Sequence, residues 1–149
     1  EKDIMTRAPR SPQHNVFSDG RGLHMIWVGM LMAGIALSLQ GWAIRNGLHW
    51  QTIVFNVLCL CQLGHVLAIR SERQSFFTQG IFTNKPLIAA VSVGFILQFG
   101  ITYIPFLQPI FKTESLTLNE FILVGAASSL VFFAVEVEKL ISRKRRNIR

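Results

Sequence analysis

Carboxylate is scarce in this sequence. Eight acidic residues stand against fifteen lysines and arginines, and no Asp or Glu lies in the middle of an apolar stretch. A small exporter working alone is expected to own an intramembrane carboxylate that couples to protons, so the lack counts against independent transport. Charge of either sign is low at 15%, against the ~25% of an ordinary soluble domain. Half of the residues are apolar and mean hydropathy is +0.40, which points to a membrane. Cysteine is limited to Cys59 and Cys61. Two positions apart on an apolar helix they stand about 200° from each other, so they can neither bridge nor share a metal, and no oxidising compartment is required. No basic-then-apolar leader precedes the first apolar stretch. The chain, beginning at Glu1, is expected to be a piece of a longer protein.

The net charge of +7 is not arranged for nucleic acid, which needs basic residues on one groove or face, interleaved with aromatics. The basic residues sit between apolar segments and in the terminal run Arg143-Lys144-Arg145-Arg146. That distribution is a topology signal which also meets anionic lipid headgroups. The lipid bilayer is the expected partner, and nucleic acid is not.

Residues 1–22 form a polar loop stiffened by Pro9 and Pro12, whose rings fix φ and stop regular helix. Four apolar segments follow, at 23–44, 51–69, 86–106 and 118–138. Each approaches the ~20 residues that cross a ~30 Å hydrocarbon core. They are separated by a turn at 45–50, a loop at 70–85 and a loop at 107–117, and a basic tail at 139–149 ends the chain. Pro86 suits a helix's first turn, and Pro105 and Pro109 close that helix's far end. Trp42 and Trp50 bracket the first turn as interface anchors. Gly29 to Ala33 and Gly34 to Ser38 recur at spacings of four, which favours close approach of another helix. The expected fold class is all-α, a polytopic membrane protein segment with four transmembrane helices and no strands.

Four crossings place both termini and the middle loop on one side of the membrane. That side receives thirteen of the fifteen basic residues, leaving Arg45 and Lys112 on the other. By the positive-inside rule both termini are cytoplasmic, with 1–22, 70–85 and 139–149 inside and 45–50 and 107–117 outside.

Several short motifs then resemble one family. Asp3-Ile4-Met5, Arg7, Pro9-Arg10 and Ser11-Pro12 resemble the cytoplasmic loop after the sixth membrane helix of P-type cation-transporting ATPases of the calcium-pump type. Ser71-Glu72-Arg73-Gln74-Ser75 is similar to the segment after the family's eighth helix, and Ile81-Phe82-Thr83-Asn84 to that before the ninth. Tyr103-Ile104-Pro105-Phe106-Leu107 with Phe111-Lys112-Thr113 resembles the ninth-to-tenth loop, and Val135-Glu136-Val137-Glu138-Lys139 the end of the tenth helix. The resemblance covers nearly the whole chain, as helices seven to ten and the loop before them. It implies ATP-driven export of a cation, expected to be calcium, through a phosphoaspartate, across a cell (plasma) membrane. The partners it implies are the remaining membrane helices and the cytoplasmic domains of the same pump. ATP and Mg2+ would serve the full-length pump and not this chain, which contains no Asp-Lys-Thr-Gly-Thr and alone should hydrolyse nothing. The fourth to sixth helices, which supply most ion ligands in the family, also lie elsewhere. The alternative is a free-standing four-helix transporter or membrane-interaction subunit, against which the missing carboxylate weighs.

Aligned on Ser71-Glu72, Gln62 falls where two-ion calcium pumps place a glutamate ligand. A hard cation wants oxygen and charge, and Gln62 offers a neutral carbonyl, so the resemblance favours one calcium per cycle. The other reading of Gln62 is an interhelical hydrogen bond. His65 lies about 60° around the helix from Gln62, either as a proton relay or as a neutral packing residue. Asn56 is expected to bond to another neighbour and Gln98 to make an interhelical hydrogen bond. Glu136, Glu138 and Lys139 are read as interfacial charge pairing and snorkelling. Arg7 and Arg10 either couple the cytoplasmic domains to the membrane helices or obey the positive-inside rule in a solvated loop.

Overall fold

The computed structural model describes residues 21–70 and 84–147, with side chains described for 22–70 and 84–142. Arg7, Arg10, the Ser71–Ser75 motif and residues 81–83 lie outside the described residues. The chain runs α1 (Arg21–Arg45), α2 (Trp50–Ile69), α3 (Lys85–Tyr103), the single turn α4 (Gln108–Phe111) and α5 (Leu118–Asn147). Among the described residues there is no strand, and four helices are long and apolar enough to cross a membrane: Gly22–Arg45, Trp50–Ile69, Lys85–Tyr103 and Leu118–Ser142. All-α architecture follows from the solvent: in hydrocarbon a helix satisfies its own backbone donors and acceptors, and an open strand edge does not.

The connections are built from local chemistry. After α1 the chain reverses at Gly47, whose φ of +64° is a left-handed conformation that a β-carbon disfavours. Leu48 N donates to Ala43 O at 2.9 Å and Asn46 Nδ2 to Trp42 O at 2.7 Å, so the last carbonyls of α1 are covered. The Asn84 side chain accepts from Leu87 N at the start of α3, and Pro86 occupies the first turn, where its missing N–H is not needed. The same helix ends at Tyr103 because Ile104 turns extended ahead of Pro105. Before α5, Glu120 Oε2 accepts from both Thr117 N and Thr117 Oγ1 at 2.8 Å, a capping box that fixes the entry into the helix.

The second helix is the hub, touching α1, α3 and α5, most extensively α5. Ile53, Val57 and Cys61 are fully buried along it. The fifth helix answers with Glu120, Val124, Ser128, Val131, Val135 and Lys139, a buried stripe at spacings of three and four that keeps one face toward its neighbours. From α1 come Val28, Met32, Ala36 and Ala43. The third helix is peripheral, burying only Gln98 and Thr102. It comes close to α2 at Gly94, where a β-carbon would lie 3.0 Å from Leu63 Cδ2. The small residues of α1 do not pack against the helices of this chain: Gly29, Ala33, Gly34 and Ser38 are exposed, and a β-carbon added at Gly29 or Gly34 would meet nothing within 4 Å. They point away from the other three helices, because the stripe through Val28, Met32 and Ala36 is the one that α1 buries.

In a bilayer, packing contacts rather than water expulsion hold helices together, so crowding one such contact should register. Gly94→Val is expected to lower unfolding stability in detergent by about 1–3 kcal/mol, with Leu63→Ala in the same molecule restoring part of the loss. An unchanged unfolding curve for Gly94→Val would show that α3 does not seat against Leu63.

Candidate functional site

Polar side chains along α2 fall into two groups, each placed by a different pair of neighbouring elements. Near its start, Asn56 Nδ2 donates to Thr52 O at 2.9 Å on its own helix and to Thr102 Oγ1 at 3.1 Å on α3. The Thr102 hydroxyl lies 2.9 Å from Gln98 O and 3.2 Å from Asn56 Oδ1. Thr52 Oγ1 accepts from Glu114 N at 2.9 Å, which ties the loop between α4 and α5 to the same end. Gln108 Nε2, donating to Thr102 O and Ser115 Oγ, and Thr113 Oγ1, donating to Ile101 O, close this loop over the end of α3. These bonds are structural, joining α2 to α3 and to the loop that follows it. Gln98 does not fulfil its expected role: it is buried, and its Nε2 has no hydrogen-bond partner. Its backbone carbonyl, not its amide, is engaged by Thr102.

Toward the other end of α2, His65 meets α1 and, through it, α5. His24 Nε2 lies 3.3 Å from His65 Nε2, with the rings stacked at 26° and 5.6 Å between centroids. On its far side, His24 Nδ1 lies 2.6 Å from Glu138 Oε2. The expected pairing of the late carboxylates is present, but the snorkelling is not. Lys139 is buried, its Nζ donating to Glu136 Oε1 at 3.0 Å and to the Ala68 carbonyl near the end of α2. The ammonium reaches inward to a carbonyl of the last turn of α2, where helix ends commonly accept side-chain donors.

Gln62 belongs to neither group. It is exposed on the outside of the four helices, and its hydrogen-bond contact is Met32 Sδ of α1, 3.8 Å from Nε2. Sulfur is a weak acceptor, so the amide is not committed by that contact. No group of three or more His, Cys, Asp or Glu side chains among the described residues is placed to hold a metal ion. Cys59 and Cys61 are both free thiols.

At the loop end, His49 stands between two carboxylates, Nε2 3.1 Å from Glu114 and Nδ1 3.7 Å from the buried Glu120. Sequence reasoning did not single out His49, His24 or the His24 partnership of Glu138. His24 carries one usable signal, its place four residues before Val28 on the buried stripe of α1. No spacing within one helix identifies partners on another.

Comparison with known proteins supplies the remaining context. The family profile described as cation transporting ATPase, C-terminus, matches residues 1–141. A calcium-transporting ATPase of Bacillus subtilis (strain 168) is 36% identical, covering 97% of this chain and 16% of that protein. Calcium-transporting ATPase 1 of Bacillus cereus is 31% identical over 94% of this chain and 18% of its own length. The probable cation-transporting ATPase F of Mycobacterium tuberculosis (strain H37Rv) is 28% identical over 97% of this chain and 16% of its own length. The chain spans about a sixth of the length of these relatives.

The Asn56–Thr102 pair joins the hub to its most peripheral neighbour and is testable by a double-mutant cycle with Asn56→Leu and Thr102→Val. A coupling of about 0.6 kcal/mol, and no more than about 1.7, is expected from unfolding measurements in detergent. Strict additivity would mean that the two side chains do not interact.

Proposed function

Because this chain belongs to the family of cation-transporting ATPase C-termini, we propose that it forms the last four membrane helices of a P-type, ATP-driven calcium pump of the plasma membrane. In this reading residues 1–22, 70–85 and 139–149 are cytoplasmic, as the positive-inside distribution supports. ATP and Mg2+ act on cytoplasmic domains encoded outside this chain, which alone hydrolyses nothing. The ion is held mainly by carboxylates on helices outside this chain, and α1, α2, α3 and α5 brace those helices.

The observation that carries the reading is the position of Gln62. It is the polar residue in the middle of α2 that faces outward from the four helices while Thr52 and Asn56 are buried. An outward amide can meet a neighbouring helix of the same pump and present one neutral oxygen to a cation. Without a carboxylate there, a second divalent ion loses both charge and a bidentate ligand, which supports transport of one calcium per cycle. Arg7 and Arg10, in the segment that carries Pro9 and Pro12, pass displacement from the nucleotide-bearing domains to α1.

In the full-length pump, Gln62→Ala should retain calcium-stimulated ATPase with a modest loss, because ligands outside this chain dominate. Abolished calcium-dependent phosphorylation in a folded Gln62→Ala protein would show that this amide is an essential ligand. Arg7→Ala and Arg10→Ala should lower ATP turnover while leaving the protein assembled in the membrane. Normal turnover and normal phosphoenzyme formation in both would remove the coupling role.

A further inference from the structure

Three ionisable side chains from three helices meet where α1 begins and where α2 and α5 draw to an end: His24, His65 and Glu138. The structural bonds near Asn56 do not involve them. The geometry dictates how many protons they can hold. His24 Nδ1 at 2.6 Å from Glu138 Oε2 is a short, charge-assisted contact in which the ring donates and the carboxylate accepts. The opposite nitrogen, His24 Nε2, faces His65 Nε2 at 3.3 Å. Two ring nitrogens can bond only when one carries a hydrogen and the other a lone pair. One proton therefore sits between the two rings, whether His24 is imidazolium and donates to His65, or both are neutral and His65 donates to His24. If both rings become imidazolium, two N–H groups point into a gap that holds one hydrogen, and two positive charges stack at 5.6 Å between centroids.

We propose that His24, His65 and Glu138 form a proton-dependent clasp that holds the start of α1 against α2 and α5 and releases α1 when a second imidazole proton enters. The proposal rests on the pump reading for its orientation, in which this end faces the cytoplasm. The sign is fixed by the bonding: the clasp is closed at higher pH and is lost as pH falls and the second ring protonates. Histidine is the side chain whose charge changes in the range a cell can reach.

The surroundings suit this role. On α1, His24 also packs edge-on to Trp27, with 6.0 Å between ring centroids. On α2 the nearest other charge in sequence is Arg70, one turn and a little more beyond His65. On α5, Glu136 and Lys139 form their own ion pair, and the Lys139 ammonium is turned to the Ala68 carbonyl. The third helix carries Lys85 at its first position and its other ionisable group, Tyr103, at its far end. Glu138 is thus the carboxylate that touches His24, and His24 carries that contact on to His65. Gln62 lies about one turn from His65 and touches Met32 of α1, so movement of α1 reaches the proposed edge of the ion site. Release would let cytoplasmic acidity slow cation transport.

The test uses spin labels at Leu23→Cys on α1 and Ile69→Cys on α2, both exposed positions, in the full-length protein with its other cysteines replaced by alanine and reconstituted in lipid. Between about pH 8 and about pH 5.5, a range centred near the histidine pKa, the label distance should lengthen on the order of 2 Å or more, the scale of a helix shift. His65→Gln offers a donor and an acceptor at every pH, and its label distance should stay at the high-pH value throughout. His24→Gln should do the same, and Glu138→Gln, whose amide oxygen can still accept from His24 Nδ1, should keep the high-pH distance of the unmodified protein at high pH. A pH-independent distance in the unmodified sequence, or the same lengthening in both His65→Gln and His24→Gln, would overturn the clasp. The pump reading stands or falls separately: lengthening without any calcium-stimulated ATPase would keep the clasp and reject the pump, and calcium-stimulated ATPase with a fixed distance would do the reverse.

Discussion

Polar groups inside a hydrocarbon layer must be paired by protein, since water is not there to do it. The second helix carries Thr52, Asn56, Gln62 and His65 across its length, and their partners are what arrange the other helices around it. Thr52 and Asn56 draw in the loop at Glu114 and the end of α3. His65 draws in α1 through His24, and His24 draws in α5 through Glu138. Lys139 then anchors α5 to the Ala68 carbonyl of α2. Between these two polar ends the contact is plain packing, with Ile53, Val57 and Cys61 of α2 and Val124, Val131 and Val135 of α5 fully or almost fully removed from the surface.

Such an arrangement divides labour along one helix. Its ends are pinned by hydrogen bonds and ion pairs, each worth only a fraction of a kcal/mol to a few kcal/mol in this setting. Its middle is held by dispersion, and there Gly94 of α3 lets Leu63 come close. Gln62 is exposed in the middle of α2, with the Met32 thioether of α1 as its hydrogen-bond contact. In the proposed pump, such a group is available to helices outside this chain.

Much of the helical layout was legible in the sequence because hydrophobic length is a one-dimensional property. Apolar runs bounded by Gly47, Pro86 and Pro105 are visible without knowing what packs on what. Family membership was legible too, carried by short motifs in a fixed order rather than by any one residue. What the sequence did not disclose is three-dimensional pairing. Gln98 looked like an interhelical donor, but the shorter Thr102, four residues on, reaches Asn56 and leaves Gln98 Nε2 without a partner. Lys139 looked like a residue that snorkels, and it turned inward to a carbonyl at the end of a neighbouring helix. The small residues of α1 looked like a seam for another helix, and they face away from the three others of this chain. In each case the outcome depends on which face of a helix its neighbours cover, and periodicity within one helix leaves that open.

The proposed role of Gln62 joins the fold to the function. A neutral amide on the outside of α2, in a chain with no carboxylate at the centre of any span, leaves room for one divalent ion held by helices from the rest of the pump. Counting calcium ions carried per ATP hydrolysed by the full-length protein in sealed vesicles is the most direct measurement of that role. One calcium per ATP is the predicted result, and two per ATP would contradict it.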